Sequence, residues 1–202
     1  MIYRKYIKRF IDIILSSIIL LLSSPLILGV TLILVFINNG NPFFFQDRPG
    51  FLEKKIRIIK FKTMNEAKDS SGNFLPDVER LTLFGNILRK TSIDEIPQFI
   101  SVLKGDMSLI GPRPLLLKYL QFYSVEQKRR HNVKPGITGW AQVNGRNRIS
   151  WKEKFDYDIY YVDNLSFDFD LKILWLTALN VIKMKDVNQS INRPMVPFDG
   201  TN

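Results

Sequence analysis

The sequence predicts a helix-rich α+β fold: a re-entrant membrane helix hairpin at the N-terminus, then a compact domain with one small β-hairpin. Three observations predict it. No charged residue occurs from Ile13 to Gln46. Runs rich in aromatic and β-branched residues flank a Pro-Gly turn directly afterwards. Most of the remainder alternates between apolar residues at helical spacing and short turn-forming stretches. The expected boundaries are a membrane segment over 1–40, a cytoplasmic domain over 41–185 and a loosely held tail over 186–202.

The apolar run Ile13–Ile37 is long enough to cross a bilayer, which takes about 20 residues. It lacks the short core and small-residue exit of a cleaved signal. Pro25 sits near its middle, where a proline deletes one helical hydrogen bond and crowds the carbonyl four residues back. Ser23 and Ser24 precede it, and their hydroxyls can satisfy the freed backbone groups. The two halves, Ile13–Ser24 and Leu26–Ile37, have 12 residues each. Each would reach only about 18 Å, too short to cross alone. Basic residues flank both ends: Arg4, Lys5, Lys8 and Arg9 before, Arg48 to Lys62 after. A spanning helix concentrates such residues on the cytoplasmic side. A bend at Ser24-Pro25 with both ends in the cytoplasm is therefore expected, the alternative being a kinked spanning helix.

Asn41–Met64 reads as the β-hairpin, punctuated at Asp47-Arg48-Pro49-Gly50. A polar loop, Asn65–Asp77, leads to helical patterns over Val78–Arg89, Asp94–Leu103, Leu115–Arg130, Trp151–Tyr161 and Leu171–Lys185. The segment VKPGITGWAQVNGR, Val133–Arg146, reads as a Gly/Pro-rich loop.

Composition narrows the chemistry. The 202 residues carry 29 Lys and Arg against 19 Asp and Glu, a net charge of +10, so anionic partners are expected. There is no cysteine and one histidine, His131, which removes thiolate nucleophiles, disulfides and Cys- or His-rich metal sites. Carboxylates, cations and a hard metal such as Mg²⁺ remain. His131, beside Arg129 and Arg130, reads as a surface residue at a helix end.

The most informative run is Thr91–Phe99, TSIDEIPQF. Ser92 with Glu95 fits a capping box, whereas Pro97 favours Asp94 itself as the N-cap. Either registration places Asp94 and Glu95 at the positive end of a helix dipole, which favours their ionised forms. Helix capping alone would also explain them. Lys60, Lys62, Arg89, Arg113, Arg146 and Arg148 are dense enough to clamp phosphate groups, although each alone is an ordinary surface charge. Arg113 differs because Gly-Pro-Arg-Pro restricts its backbone on both sides. The glycines around Ile137 and Arg146 allow a loop that presents N–H groups to phosphate. Asp158 is an acid to watch beside this basic set.

In order along the chain stand Ser24-Pro25, FQDRPG (Phe45–Gly50), KFKTM (Lys60–Met64), Leu88-Arg89 and SIDEIPQ (Ser92–Gln98). They are followed by LKGDMSLIGPRP (Leu103–Pro114), VKPGITGWAQVNGR and the Asp158–Ser166 run. Taken together these resemble the bacterial sugar transferase family, in particular its small monotopic phosphoglycosyl transferases. The resemblance implies an enzyme on the cytoplasmic face of the bacterial inner membrane. It would move a phospho-sugar from a UDP-sugar, by analogy one with an N-acetylated amino sugar, to undecaprenyl phosphate, and release UMP. It implies that Asp94 attacks the β-phosphate and carries an aspartyl phospho-sugar, while Glu95 helps hold Mg²⁺ or manages a proton. Lys60, Arg89, Arg113 and Arg146 would bind phosphates and Asp158 would support the site. Anionic lipids are expected partners and nucleic acid is not; oligomeric state leaves no signature.

Two other classes compete. A membrane-anchored basic adaptor would explain the charge and the apolar run, but not the Asp-Glu pair together with GPRP and PGITG. A transferase moving only the sugar would release UDP, and its usual D-x-D signature appears only as Asp168–Asp170, which reads as a helix cap.

Overall fold

The computed structural model describes residues 2–145, 148–182 and 196–202. Helix α1 (Lys8–Ile37) extends a π-helical turn over Tyr3–Ile7, and together they are long and apolar enough to cross a membrane. The two short helices expected around Ser24-Pro25 are one continuous helix with Pro25 inside it. The local reason is visible. Pro25 cannot donate to the Leu21 carbonyl, and the Ser24 hydroxyl donates to that carbonyl instead at 2.8 Å. Ser23 likewise donates to the Ile19 carbonyl at 2.6 Å.

One stripe of α1 faces the domain: Lys8, Asp12, Ser16, Val30 and Leu34 are buried. The opposite face is bare, with Leu21 and Leu22 74% and 76% exposed. Both ends are fastened to the same body. At the start, Lys8 Nζ pairs with Asp170 at 2.7 Å, Asp12 accepts the Leu109 N–H at 3.0 Å, and Arg9 donates to the Val102 and Leu103 carbonyls. At the far end, Val30 and Leu34 pack with Phe61 and Leu88, and the Asn38 amide donates to the Lys62 carbonyl at 2.9 Å. Burying each of those aliphatic or aromatic side chains contributes about 1.5–3 kcal/mol.

Strands β1 (Phe43–Pro49) and β2 (Lys55–Phe61) form the expected antiparallel hairpin, in register from Phe43 opposite Phe61 to Pro49 opposite Lys55. β1 runs through the expected Asp-Arg-Pro punctuation, and the reversal falls at Gly50–Lys54, where Leu52 and Glu53 take left-handed φ of 52° and 62°. The single helix expected over Val78–Arg89 is a turn, Asp77–Arg80, and then α2 (Leu83–Lys90). The Thr82 hydroxyl caps α2 by accepting the Gly85 N–H, which restarts the helix there. Helix α3 (Phe99–Lys104) leads to β3 (Ser108–Ile110), which pairs in parallel with β4 (Gly136–Thr138). Residues 115–130 are helical only in short pieces, Leu117–Phe122 and Val125–Lys128. Helices α4 (Trp151–Asp163) and α5 (Phe167–Ile182) complete the domain, and Asp168 and Asp170 lie inside the first turn of α5 rather than before it.

Two cores result. Val102, Met107, Ile110, Tyr161 and Ile173 fill the centre between α1, β3 and α5. Leu115, Tyr119, Tyr123, Trp151 and Phe155 form an aromatic cluster that Phe198 enters at 3% exposure. The last described stretch, 196–202, is therefore docked rather than loose, with the Trp151 indole donating to the Val196 carbonyl at 2.8 Å.

Asp170 gathers Lys8 Nζ and the hydroxyls of Tyr3 (2.6 Å) and Tyr161 (2.8 Å) in one buried knot. Removing one partner of a buried pair strands the others and costs about 3–5 kcal/mol. Asp170→Ala is expected to lower thermal stability in detergent by about that amount. Lys8→Met should cost less, because Asp170 keeps both phenols.

Candidate active site

The hairpin, α2 and the Ile93–Gln98 segment bring the charged residues together. Ile93–Gln98 is a 3₁₀-helix that runs directly into α3, so Asp94 and Glu95 stand near the N-terminal end of the combined helix. The expected caps are absent. Ser92 is left-handed at φ 57° and makes no side-chain cap; its carbonyl accepts the Glu95 N–H at 3.2 Å. β2 delivers Lys60, whose Nζ lies 2.5 Å from Glu95 Oε1. The Gly-Pro-Arg-Pro segment delivers Arg113, which reaches the same oxygen at 2.7 Å with a side chain that is 47% exposed. α2 delivers Arg89, held by its Nε donating to Thr63 Oγ1 at 2.9 Å. That contact depends on Gly85, where a Cβ would stand 2.0 Å from the Thr63 carbonyl oxygen.

The adjacent carboxylates live in opposite fields. Burial and the negative charge of Glu95 push Asp94 up to about 6, against the pull of Lys60, Arg113 and Arg89. Glu95 is also desolvated, yet Arg113 and Lys60 bonded to it hold its carboxyl well below the usual range. Both hydrogen bonds to this pair's carboxylates go to Glu95; among the described residues none goes to Asp94, which is 8% exposed. Neighbouring acids pushed apart in this way take separate roles.

Lys60, Arg89, Asp94, Glu95, Arg113 and Asp158 all line one cleft of about 1060 Å³. That is ample for a nucleotide-sized ligand. Arg146 lies outside the described residues. Ser24 and Pro25 are away from the cleft, on α1, although Ile19 of the same helix lines it. Asp158 is fully buried and bound to Arg130 through contacts of 2.7 and 3.1 Å, so it braces the cleft wall.

Sequence reasoning missed Arg130, which is buried and also donates to the Arg113 carbonyl at 2.8 Å. It missed Arg48 as well, pushed down to about 10 by burial and the nearby Arg113. FQDRPG was the available signal for Arg48; a charge run hid Arg130. His131 is not a surface residue: it is buried, its Nδ1 is 3.3 Å from the Gly50 carbonyl, and burial and Arg130 hold it near 4. Within PGITG, Gly136–Thr138 form strand β4, a Cβ on Gly136 would meet the Gly111 nitrogen at 2.1 Å, and Ile137 and Thr138 line the cleft.

Among the described residues no three His, Asp or Glu side chains converge as a metal site. Asp94 and Glu95 are the donors a cation could use, and Mg²⁺ needs only one or two carboxylates beside substrate phosphates. A shielded carboxylate flanked by cations, in a cleft touching a long apolar helix, is an arrangement suited to phosphorylated ligands.

Residues 3–184 match the profile of the family described as bacterial sugar transferase, and the chain belongs to that family. It is 50% identical over 196 residues to an uncharacterized sugar transferase, EpsL, of Bacillus subtilis, with 96% of each chain covered. It is 40% identical to the UDP-glucose:undecaprenyl-phosphate glucose-1-phosphate transferase of Escherichia coli, over 86% of this chain and 40% of the relative. It is 37% identical to the UDP-N-acetylgalactosamine-undecaprenyl-phosphate N-acetylgalactosaminephosphotransferase of Aeromonas hydrophila, over 88% of this chain and 44% of the relative. The chain thus spans less than half the length of those last two relatives.

The shift on Asp94 has a sign. Its folded value is raised, so the stability it contributes is complete below the ordinary carboxylate value near 3.8 and is lost as pH rises through about 6. In metal-free buffer, Asp94→Asn is expected to be more stable than the native chain at pH 7.5, by on the order of 2 kcal/mol. The difference should vanish near pH 4 in a thermal melt.

Proposed function

We propose that this transferase moves a sugar 1-phosphate from a UDP-sugar to undecaprenyl phosphate, as the first membrane step of glycoconjugate assembly. The observation that carries the reading is the buried Asp94 beside a Glu95 that Lys60 and Arg113 hold ionised. The names of the relatives supply the donor and acceptor classes. An Asp94 oxygen attacks the β-phosphorus, the bond to the bridging oxygen breaks, and UMP leaves with the electron pair. A phosphate oxygen of the polyprenyl acceptor then attacks the same phosphorus and frees the Asp94 carboxylate. Covalent catalysis of this kind divides one hard displacement into two easier ones.

Arg113, half exposed with donors beyond those facing Glu95, and Arg89, whose guanidinium keeps donors beyond the one on Thr63, are suited to orient the donor phosphates. Lys60 keeps Glu95 charged, and Arg146 completes the proposed clamp. Asp94 or Glu95, with the substrate phosphates, would hold Mg²⁺, which would supply charge neutralisation at the departing phosphate. An N-acetylated amino sugar is the proposed donor, with UDP-glucose the competitor because a relative of known name uses it.

We also infer that α1 is re-entrant and that the domain sits on the cytoplasmic face. Both ends of α1 are bound to one folded body, through Asp170 and Leu109 at the start and Phe61, Leu88 and Lys62 at the end. A helix fastened at both ends to one domain cannot place those ends on opposite sides of a bilayer. The bare Leu21–Leu22 region then meets lipid.

Incubation with a panel of UDP-sugars and Mg²⁺, without lipid, is expected to release UMP and add one phospho-sugar to the intact mass. Asp94→Asn should abolish both, and EDTA should suppress both. UMP that appears only when polyprenyl phosphate is added would remove the covalent route. Topology is tested by single cysteines, since the chain has none of its own. Cysteines at Tyr3 and Asn65 should both label only from the cytoplasmic side; periplasmic labelling at Tyr3 would sink the re-entrant reading.

A further inference from the structure

We propose that Phe198 is a positioning residue: docking of residues 196–202 sets Arg113 through the aromatic cluster and Arg130. The inference rests on the function proposed above only for the role of Arg113. The contacts form an unbroken chain. Phe198 stands 5.0 Å from the Phe155 ring, 5.4 Å from Trp151 and 5.8 Å from Tyr123, centroid to centroid. The rings of Phe155 and Tyr123 in turn lie 5.7 and 5.9 Å from the Arg130 guanidinium carbon. Arg130 is fixed by Asp158 and by the Tyr123 hydroxyl at 3.4 Å, and spends one further N–H on the Arg113 carbonyl. Leu115, two residues on, belongs to the same cluster as Phe198, so Arg113 is gripped from both sides. Its guanidinium then meets Glu95 beside Asp94.

The geometry explains why an arginine on an irregular segment keeps its place. Arg113 lies in no helix or strand, between β3 and Leu117–Phe122, so the backbone hydrogen bonds of regular structure do not hold it. Arg130 holds its carbonyl, and the two flanking rings add to the Asp158 pair in fixing the Arg130 orientation. Phe198 backs those rings. Without it the cluster loses a packed member and the rings gain rotamer freedom. A displacement of about 1 Å at a group that orients substrate is enough to slow a reaction up to about a hundredfold.

The experiment compares the full chain with Phe198→Ala and Phe198→Leu in detergent or nanodiscs. UMP release is measured in turnover with a UDP-sugar, undecaprenyl phosphate and Mg²⁺, and the rate is normalised to sites titrated by adduct formation without the acceptor. Amide hydrogen exchange is followed over 111–116. The expected result is a loss of about tenfold in normalised kcat for Phe198→Ala, with KM for the UDP-sugar within about threefold. Exchange over 111–116 should rise, and Phe198→Leu, which keeps an apolar side chain, should recover most of both. Should the alanine variant not fold, the leucine variant carries the same two readouts at smaller amplitude. A normalised kcat equal to the native value, with native exchange over 111–116, overturns the proposal and leaves Phe198 as packing alone. If the native chain itself releases no UMP, the functional reading fails, and exchange over 111–116 by itself decides whether the relay exists.

Discussion

Two carboxylates share a backbone step, and only one of them has cations bonded to it. Glu95 takes both Lys60 and Arg113 on a single oxygen. The Coulomb gain outweighs the desolvation of that carboxylate, so Glu95 is a fixed negative charge at any physiological pH. Asp94 must then ionise next to an existing charge in a shielded place, which is why its affinity for protons rises. An anion that is costly to hold is one whose charge any neutralising partner would relieve. The rest of the domain can be read as the support of that inequality: a hairpin that aims Lys60, a capped helix that aims Arg89, and a buried Arg130 that holds the carbonyl of Arg113.

The same economy governs α1. Its inward stripe begins polar, at Lys8, Asp12 and Ser16, and ends apolar, at Val30 and Leu34. The polar part meets α5 and β3, where Asp170 and the Leu109 N–H are waiting; the apolar part meets β2 and α2. Lys8, Arg9 and Asp12 on an otherwise apolar helix are each satisfied by protein. The helix is thus a structural member of the domain, and Ile19 brings it to the wall of the cleft itself.

Much of this was legible from residue types. The long apolar run, the hairpin and helices α4 and α5 followed from composition and period, and the carboxylate-and-cation set followed from motif order. Local chemistry that depends on partners far away was not legible. Ser92 looked like a cap, but its backbone is left-handed and its side chain makes no cap hydrogen bond. That the glycines of PGITG also let β4 lie against Gly111 could not be read from their spacing. Pro25 looked like a break, and a single hydroxyl from Ser24 was enough to carry the helix through it. Arg130 and Phe198 gave no sequence signal because their roles are set by contacts across the fold.

The knot at Asp170 has a consequence for biosynthesis. Lys8 leaves the ribosome 162 residues ahead of the carboxylate that neutralises it. At translation rates of about 5–20 residues per second, that is a wait of roughly ten to thirty seconds. For most of that interval the apolar segment is complete while its ammonium lacks the Asp170 carboxylate; the Asp12 carboxylate, four residues on, waits only the 97 residues to Leu109. Water must serve the ammonium until Asp170 is made. Arrival of α5 therefore completes the last of the contacts that fasten α1, after the partners at Lys62, Val102 and Leu109 have already been synthesised.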